Sequence, residues 1–382
     1  MYRLFLSFTL LCALSATYAQ GPDSIILQLR TINAAATGKL LSHRAMNVFL
    51  SEAAAYYMSD PDNLTLYKNS VIANAAEGTL AIYHNMRQPH GIDEPLRSFL
   101  SIGVKANVAD AFTAHSEGRP YNNQFGFLVK QTWVGRPRVT ATAAQTKAMD
   151  TVRAAILRSM TTAIHNRADD FVYDVDLPKE LEFDYAHKQA EHLAKSFNYG
   201  VFAFQWTSVS LYIPLITENF QTLPTASADP MSRHAWPLHL NISHTRLWEG
   251  SKFGRLFATL AGDITLNNAR DGYGLDKTGN LYIGDYKTFI TPSIKGQLIY
   301  LPTDSHIGIS FLLEQAIGDY HAMNGILGIP IVLINKRAEA AMNFEFQVRF
   351  YDMGHSIDPG KGLNGRTAIG MTAGVPFSKI AF

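Results

Sequence analysis

The chain has 382 residues, 47% of them hydrophobic and 17% charged, with 33 Lys and Arg against 32 Asp and Glu. That composition excludes a disordered chain, which needs low hydrophobicity and high net charge, and supplies no basic excess for nucleic acid. A single cysteine, Cys12, excludes a disulfide framework and a cysteine-based zinc site.

Residues 1–19 read as a secretory signal peptide. Arg3 opens the segment, Leu4 to Ala16 is apolar, and Thr17-Tyr18-Ala19 offers a small-residue cleavage site. Residues 20–64 form an N-terminal segment in which Ile25, Ile26, Leu29 and Ile32 predict one short helix and Leu50–Met58 another. From residue 65 onward alternation takes over. In Asn343–Phe350 the four even positions are apolar and the four odd ones polar or charged, so a strand would turn the two sets to opposite faces. Such patterns predict twelve strands, near 68–76, 78–86, 97–113, 121–135, 199–215, 236–248, 253–267, 282–301, 305–317, 325–335, 341–353 and 366–382. Ser196 to Thr217 is the longest uncharged stretch after the signal. Its Asn198, Gln205 and Pro214, with many aromatic and β-branched residues, predict a strand rather than a membrane helix.

Residues 140–197 interrupt the alternation. Met149, Val152, Ile156, Met160 and Ala163 recur at helical spacing over 141–165, and Pro178 opens a second predicted helix, Lys179–Phe197. Between them lies the acidic stretch from Asp169 to Asp176. The links between strands alternate in length. Glu249–Lys252, Pro302–Asp304 and Lys336–Ala340 are short, whereas Thr217–Ala235, Asn268–Leu281 and Gly354–Gly365 are long. Short turns on one rim and long loops on the other are what a membrane barrel shows, with the short turns periplasmic. Trp133, Trp236, Trp248, Tyr121, Tyr282, Tyr300, Tyr320 and Tyr351 fall at predicted strand ends, where interfacial girdles lie.

On these residues the chain resembles the bacterial outer-membrane β-barrel proteins. The strand-like Thr367–Phe382, ending in an aromatic, resembles the signal that the barrel-assembly machinery reads in that class. The resemblance implies an all-β fold: a closed antiparallel up-and-down transmembrane barrel of about 12 strands over 65–382, lodged in outer-membrane lipid. The helical insertion at 140–197 would sit on the periplasmic side, either folded into the lumen as a plug or hanging below it as a docking surface. Residues 20–64 would lie in the lumen or cap the barrel from below.

The candidate chemistry is that of a lumen. Lys105, Lys130, Arg255, Lys287, Lys295 and Arg349 fall on the non-apolar faces, opposed by Asp263, Glu314 and Glu345. If these charges line a water-filled path, they favour anionic solutes mildly. Asp169, Asp170, Asp174 and Asp176 are candidates for docking a periplasmic protein. His187, Glu191 and His192 are one residue off a helical metal-site spacing and read as solvated helix residues, so no metal and no cofactor is expected. His239, Asn241 and Ser243 share a strand face and carry the residue types of an outer-membrane hydrolase, but their order departs from that pattern. The sequence therefore predicts a channel or transporter for small solutes. A non-conducting anchor or assembly component is the second reading and a membrane-embedded hydrolase, acting through Ser243, the third.

Overall fold

The protein is described from a computed structural model. The structure describes residues 21–56, 69–74, 79–86, 95–107, 125–167, 170–171, 177–196, 199–216, 219–225, 228–269, 275–278, 281–335, 340–357 and 366–376. The expected signal peptide and the terminal Phe382 lie outside these residues.

The strands in chain order are β1 (Ser70–Asn74), β2 (Thr79–Met86), β3 (Ser98–Asn107), β4 (Phe125–Val134), β5 (Arg138–Val139), β6 (Val201–Ile216), β7 (Asn219–Leu223), β8 (Met231–His234), β9 (His239–Gly250), β10 (Gly254–Asn268), β11 (Asp276–Thr278), β12 (Leu281–Ile283), β13 (Thr288–Leu301), β14 (Ile309–Ala316), β15 (Met323–Ile334), β16 (Ala340–Phe350) and β17 (Thr367–Pro376). Twelve of them form a closed ring in the order β1, β2, β3, β4, β6, β9, β10, β13, β14, β15, β16, β17, each antiparallel to its neighbours. The ring is sealed by β1 against β17, with Ser70 opposite Pro376, and by β4 against β6. Closure leaves no open edge, which a sheet in lipid requires because no water is there to satisfy unpaired backbone groups. All twelve predicted strands are present.

Two boundaries differ from expectation. The strand predicted over 282–301 is two elements, β12 and β13. The chain breaks at Gly284, whose φ of 137° suits only glycine. The long links 217–235 and 268–281 are more than loops, since they carry β7, β8, β11 and β12, joined as a four-stranded sheet at the long-loop rim. Phe220 holds that sheet together, edge-on to Tyr282 at 5.6 Å and packed on Tyr286. The last strand is described over Thr367–Pro376, and residues 377–382 of the strand predicted there lie outside the described residues.

The two faces of the ring differ sharply. Outward-pointing Leu260 is 64% exposed and Ile290 60%, with Ile294, Leu298, Phe311, Ile329 and Phe346 alongside. Inward-pointing Thr245, Thr259, Ser208, Asn343, Glu345 and Gln347 are buried. A soluble monomer rarely exposes a contiguous apolar patch beyond a few hundred Å². A belt of this kind around a polar interior suits a bilayer. Trp133, Trp248 and Tyr300 lie on the outer face near the short-turn ends of β4, β9 and β13, as an interfacial girdle requires. Among the described residues no helix is long and apolar enough to cross a membrane.

Among the described residues four helices gather at the short-turn rim: α1 (Pro22–Ala35), α2 (His43–Ala55), α3 (Ala143–Asn166) and α4 (Leu177–Ser196). The helix expected at Leu50–Met58 begins instead at His43, because Ser42 caps it by accepting from the Ala45 amide at 3.2 Å. A capping box between Thr142 and Gln145 opens α3. Ile25, Ile26, Leu29 and Ile32 pack α1 on Met160 and Ile164 of α3 and on Leu181 and Tyr185 of α4. The buried Arg153 of α3 donates to the carbonyls of Ala36, Lys39 and Leu40 at 2.6–2.8 Å and pairs with Asp150, tying α3 to the α1–α2 connection.

Candidate functional site: a polar lumen closed by a helix

The wall is built from short polar side chains where strands meet. Thr132 and Ser208 are hydrogen-bonded at 3.0 Å, and Thr245 and Thr259 at 2.9 Å, each pair bridging adjacent strands inside the barrel. A chain of polar and charged groups runs along five consecutive strands of the ring. Asp263 on β10 lies 2.6 Å from His239 Nε2 on β9 and accepts from Asn241 at 2.8 Å. Lys295 on β13 lies 3.3 Å from Asp263 and 3.6 Å from Glu314 on β14. Asn324 on β15 donates to Glu314 at 3.1 Å. Further along the same wall Glu345 on β16 is bonded to Ser310 on β14, and Arg349 donates to Gln347 at 2.8 and 3.0 Å. Gly328 leaves room for that group. A Cβ there would run into the Glu345 carboxylate and the Ser310 hydroxyl.

Near the short-turn rim the inward side chains become apolar: Phe202, Phe204 and Trp206 on β6, Leu247 on β9, Phe257 on β10, Ile299 and Leu301 on β13. They meet α2, on which Ala45, Val48, Phe49, Leu50 and Ala53–Ala55 are all buried. A helix buried all round has no solvent face to keep. Its bonds show how it lies. Asn47 accepts from the Leu96 amide just before β3 at 3.2 Å, Asn343 on β16 donates to the Ala55 carbonyl at 2.5 Å, and the Arg255 guanidinium on β10 stacks 3.9 Å over the Tyr56 ring. In the ring three strands separate β3 from β10, three separate β10 from β16, and three separate β16 from β3. A helix held at three evenly spaced points spans the mouth. From outside, α4 covers it through Ala186, Ala190 and Leu193 and an Arg44–Glu182 ion pair.

The seal is polar at one point. Arg255 is 3.1 Å from Glu249, and Tyr199 donates to the same carboxylate at 3.1 Å. Burial pushes the Tyr199 phenol well above its ordinary range, with the Glu249 charge adding to it, so the hydroxyl stays protonated and able to donate. Beside this triad a cavity of about 270 Å³ lies between α2, α4 and the rim, with Phe49, Ala53, His187, Glu191 and His306 in its walls. Glu191 is held below the usual carboxylate range by its bond to Lys195. A larger opening, about 870 Å³, flanks α2 next to β3 and β4, with Lys39, His43, Arg97 and Arg136 on it and, among the described residues, no carboxylate.

The sequence-derived residues fall as follows. Lys130, Asp263, Glu345 and Arg349 are buried on inward positions, and Lys105, facing the same way, lies 5.8 Å from the Tyr212 ring. Arg255, Lys295 and Glu314 make the pairs given above. Lys287 stands one residue before β13, half-exposed at the long-loop rim and 3.4 Å from Asp319. Asp170 is exposed and bonded to Arg167 at 2.8 Å, while Asp169, Asp174 and Asp176 lie outside the described residues. His187 stacks on Phe183 within α4. Among the described residues no cluster of His, Cys, Asp and Glu suits a metal ion. Sequence reasoning missed Glu249, placed in a turn but standing at the inward end of β9. It missed Asn47, Tyr56 and Asn343 as plug contacts, which no local pattern marks.

A closed antiparallel ring, apolar outside and polar inside, defines this protein as an outer-membrane β-barrel embedded in lipid. No family model matches the sequence, and no curated protein matches it. Solved structures that resemble it include the KdgM porin (8% identical, covering 81% of this chain and 98% of the porin, TM-score 0.31) and the NanC porin in a rhombohedral crystal form (7%, 82% and 99%, 0.30). OmpT, an outer membrane protein of Vibrio cholerae folded in vitro, is a further one (8%, 81% and 94%, 0.24). At these scores the likenesses carry no argument, and the class rests on the ring and its two faces.

Proposed function

We propose that the chain is a gated channel of the bacterial outer membrane for small solutes, with a mild preference for anions. The observation that carries the reading is the division of the interior: a polar, charged wall along the barrel and a single apolar seal at one mouth, made by α2. A wall that served packing alone would have no use for Asp263, Lys295, Glu314, Glu345 and Arg349, because burying charges costs more than burying apolar groups. By strand parity the plugged mouth is the periplasmic one, with 20–64 and 140–197 forming its gate. The residues proposed to line the path are Lys105, Lys130, Arg255, Asp263, Lys295, Glu314, Glu345 and Arg349, with Lys287 at its outer entrance.

Charges within the barrel balance closely once Glu249 is counted. The anion preference is therefore assigned chiefly to the basic opening at Lys39, His43, Arg97 and Arg136. A second reading, a non-conducting barrel that anchors an envelope complex, is favoured by the three-point tether of α2. There the insertion, including Asp169, Asp170, Asp174 and Asp176, would dock a periplasmic protein. Both readings have the last strand and Phe382 addressing the assembly machinery. The full chain in planar lipid bilayers tests them. Discrete conductance steps with a reversal potential shifted toward anions in a salt gradient establish the channel. Steady absence of current, with a partner co-purifying only while 140–197 is present, establishes the anchor.

A further inference from the structure

Among the described residues the outer face of the barrel is mostly apolar, and near the plugged rim it carries a cluster of arginines. β4 ends at Val134, opposite Trp206, and the Gly135 amide bonds the Gln205 carbonyl at 2.9 Å. The chain resumes pairing at Arg138, opposite Ala203. Three steps on this strand thus answer two on β6, and Pro137, which cannot donate, stands in the bulge. The bulge lifts the strand off β6 and leaves a pocket of about 370 Å³, lined by Arg136, Pro137, Arg138, Ala203, Gln205 and Arg246, with Phe204 at its base.

The register shows which way these groups face. Ala203 and Gln205 are on the outward set of β6, since Phe202, Phe204 and Trp206 fill the inward one. Arg138 is paired with Ala203 and so faces outward, while Arg136 stands within the bulge and borders the same pocket. Gln205 is paired with Arg246 and Ala203 with Trp248 on β9, which carry those side chains outward in turn. Arg246 stacks 4.9 Å over the Trp248 ring. Among the described residues the pocket contains three guanidinium groups and no carboxylate, and none of the three forms an ion pair. Trp248 and Trp133 place it at the girdle, the depth of lipid headgroups.

An arginine facing lipid is costly unless it meets an anion. Guanidinium forks match phosphate oxygens two at a time. Basic residues on a membrane protein's surface draw anionic headgroups. The geometry points to a binding site for the phosphodiester headgroup of an anionic phospholipid in the leaflet that borders the plugged rim. Arg136, Arg138 and Arg246 hold the phosphate, and the acyl chains lie along the apolar face of β6 and β9. This rests on reading the chain as a membrane barrel whose plugged rim is periplasmic. Its consequence is local: a lipid seated there abuts Arg136, which also borders the opening beside α2.

The test uses the full chain purified in mild detergent, with dioctanoyl phosphatidylglycerol as the probe and native mass spectrometry as the readout. Wild type is compared with the triple variant Arg136→Gln, Arg138→Gln, Arg246→Gln. A control, Arg158→Gln, Lys188→Gln, Lys252→Gln, removes the same charge from exposed positions at the same end of the molecule. One lipid per chain is expected on wild type and on the control, with affinity at least about tenfold weaker in the triple variant. Equal binding by the triple variant, an equal loss in the control, undiminished binding of dioctanoyl phosphatidylcholine, or full displacement by inorganic phosphate would each overturn the assignment. A boiling-dependent gel shift on every sample keeps the underlying reading separate. Without that shift in wild type the barrel reading itself fails; with it, an unaltered lipid affinity removes only this site.

Discussion

Replacing Phe49 by alanine should open the channel without dismantling the barrel. Phe49 is 5% exposed and meets Tyr199 edge-on at 5.8 Å and Phe202 at 5.0 Å, with interplanar angles of 87° and 86°. Truncating a buried phenylalanine costs about 3–5 kcal/mol, within which each edge-on pair accounts for about 0.5–1.5 kcal/mol. The cavity of about 270 Å³ already bordering this ring lets the neighbourhood relax, which favours the lower end. About 3 kcal/mol lost from the docked plug alone changes its docked-to-released ratio about 150-fold. Single-channel recording of the full chain should therefore show open time rising by about two orders of magnitude wherever it is not already saturated. The temperature at which the boiling-dependent gel shift occurs should move by only a few degrees. The lipid-facing Phe346→Ala should leave open time unchanged. An unaltered open time in Phe49→Ala, alongside a lowered shift temperature, would show that α2 braces the barrel and does not gate it.

Four further outcomes follow from the same geometry. Leu260→Lys, at an outward position midway along β10, should cost about 2–4 kcal/mol of barrel stability, read as the urea midpoint of folding into lipid vesicles. Asp263→Asn removes the charge that offsets Lys295, so the reversal potential in a salt gradient should move further toward anions, while Lys295→Gln moves it back. Gly328→Ala drives a methyl group into the Glu345–Ser310 pair and should destabilise the barrel by about 1–3 kcal/mol, with Gly296→Ala, where nothing lies near, as the neutral comparison. Because burial raises the Tyr199 pKa, its contribution is whole below the unfolded value near about 10 and fades as pH rises above it. Tyr199→Phe should therefore be less sensitive to alkali above about pH 10 than wild type, in midpoint denaturation read against pH.

The strands were legible because lipid outside and polar groups inside impose a period of two that survives in any one segment. Asn343–Phe350 states both faces of β16 without reference to another residue. The helices of the insertion were legible for a like reason, from Met149, Ile156 and Met160 at helical spacing. Glu249 was misplaced because its neighbours Gly250 and Ser251 look like a turn, and only pairing with Val201–Phe202 shows that the strand continues. The small outer sheet was missed because β11 and β12 span three residues each, too short for any period to show.

The sequence by itself determined the number of barrel strands, their in–out sense and the helical interruption. Each of these is a local pattern, repeated by a chain that meets lipid on one side. Only the tertiary structure decided that β4 meets β6 across the insertion and that β1 meets β17 to seal the ring. It also decided that α2, rather than the insertion, spans the mouth. Those outcomes depend on contacts between residues far apart in the chain, Asn343 with Ala55 and Arg255 with Tyr56 among them. The hydrogen bond or ring contact that joins such a pair has no counterpart in the sequence around either member.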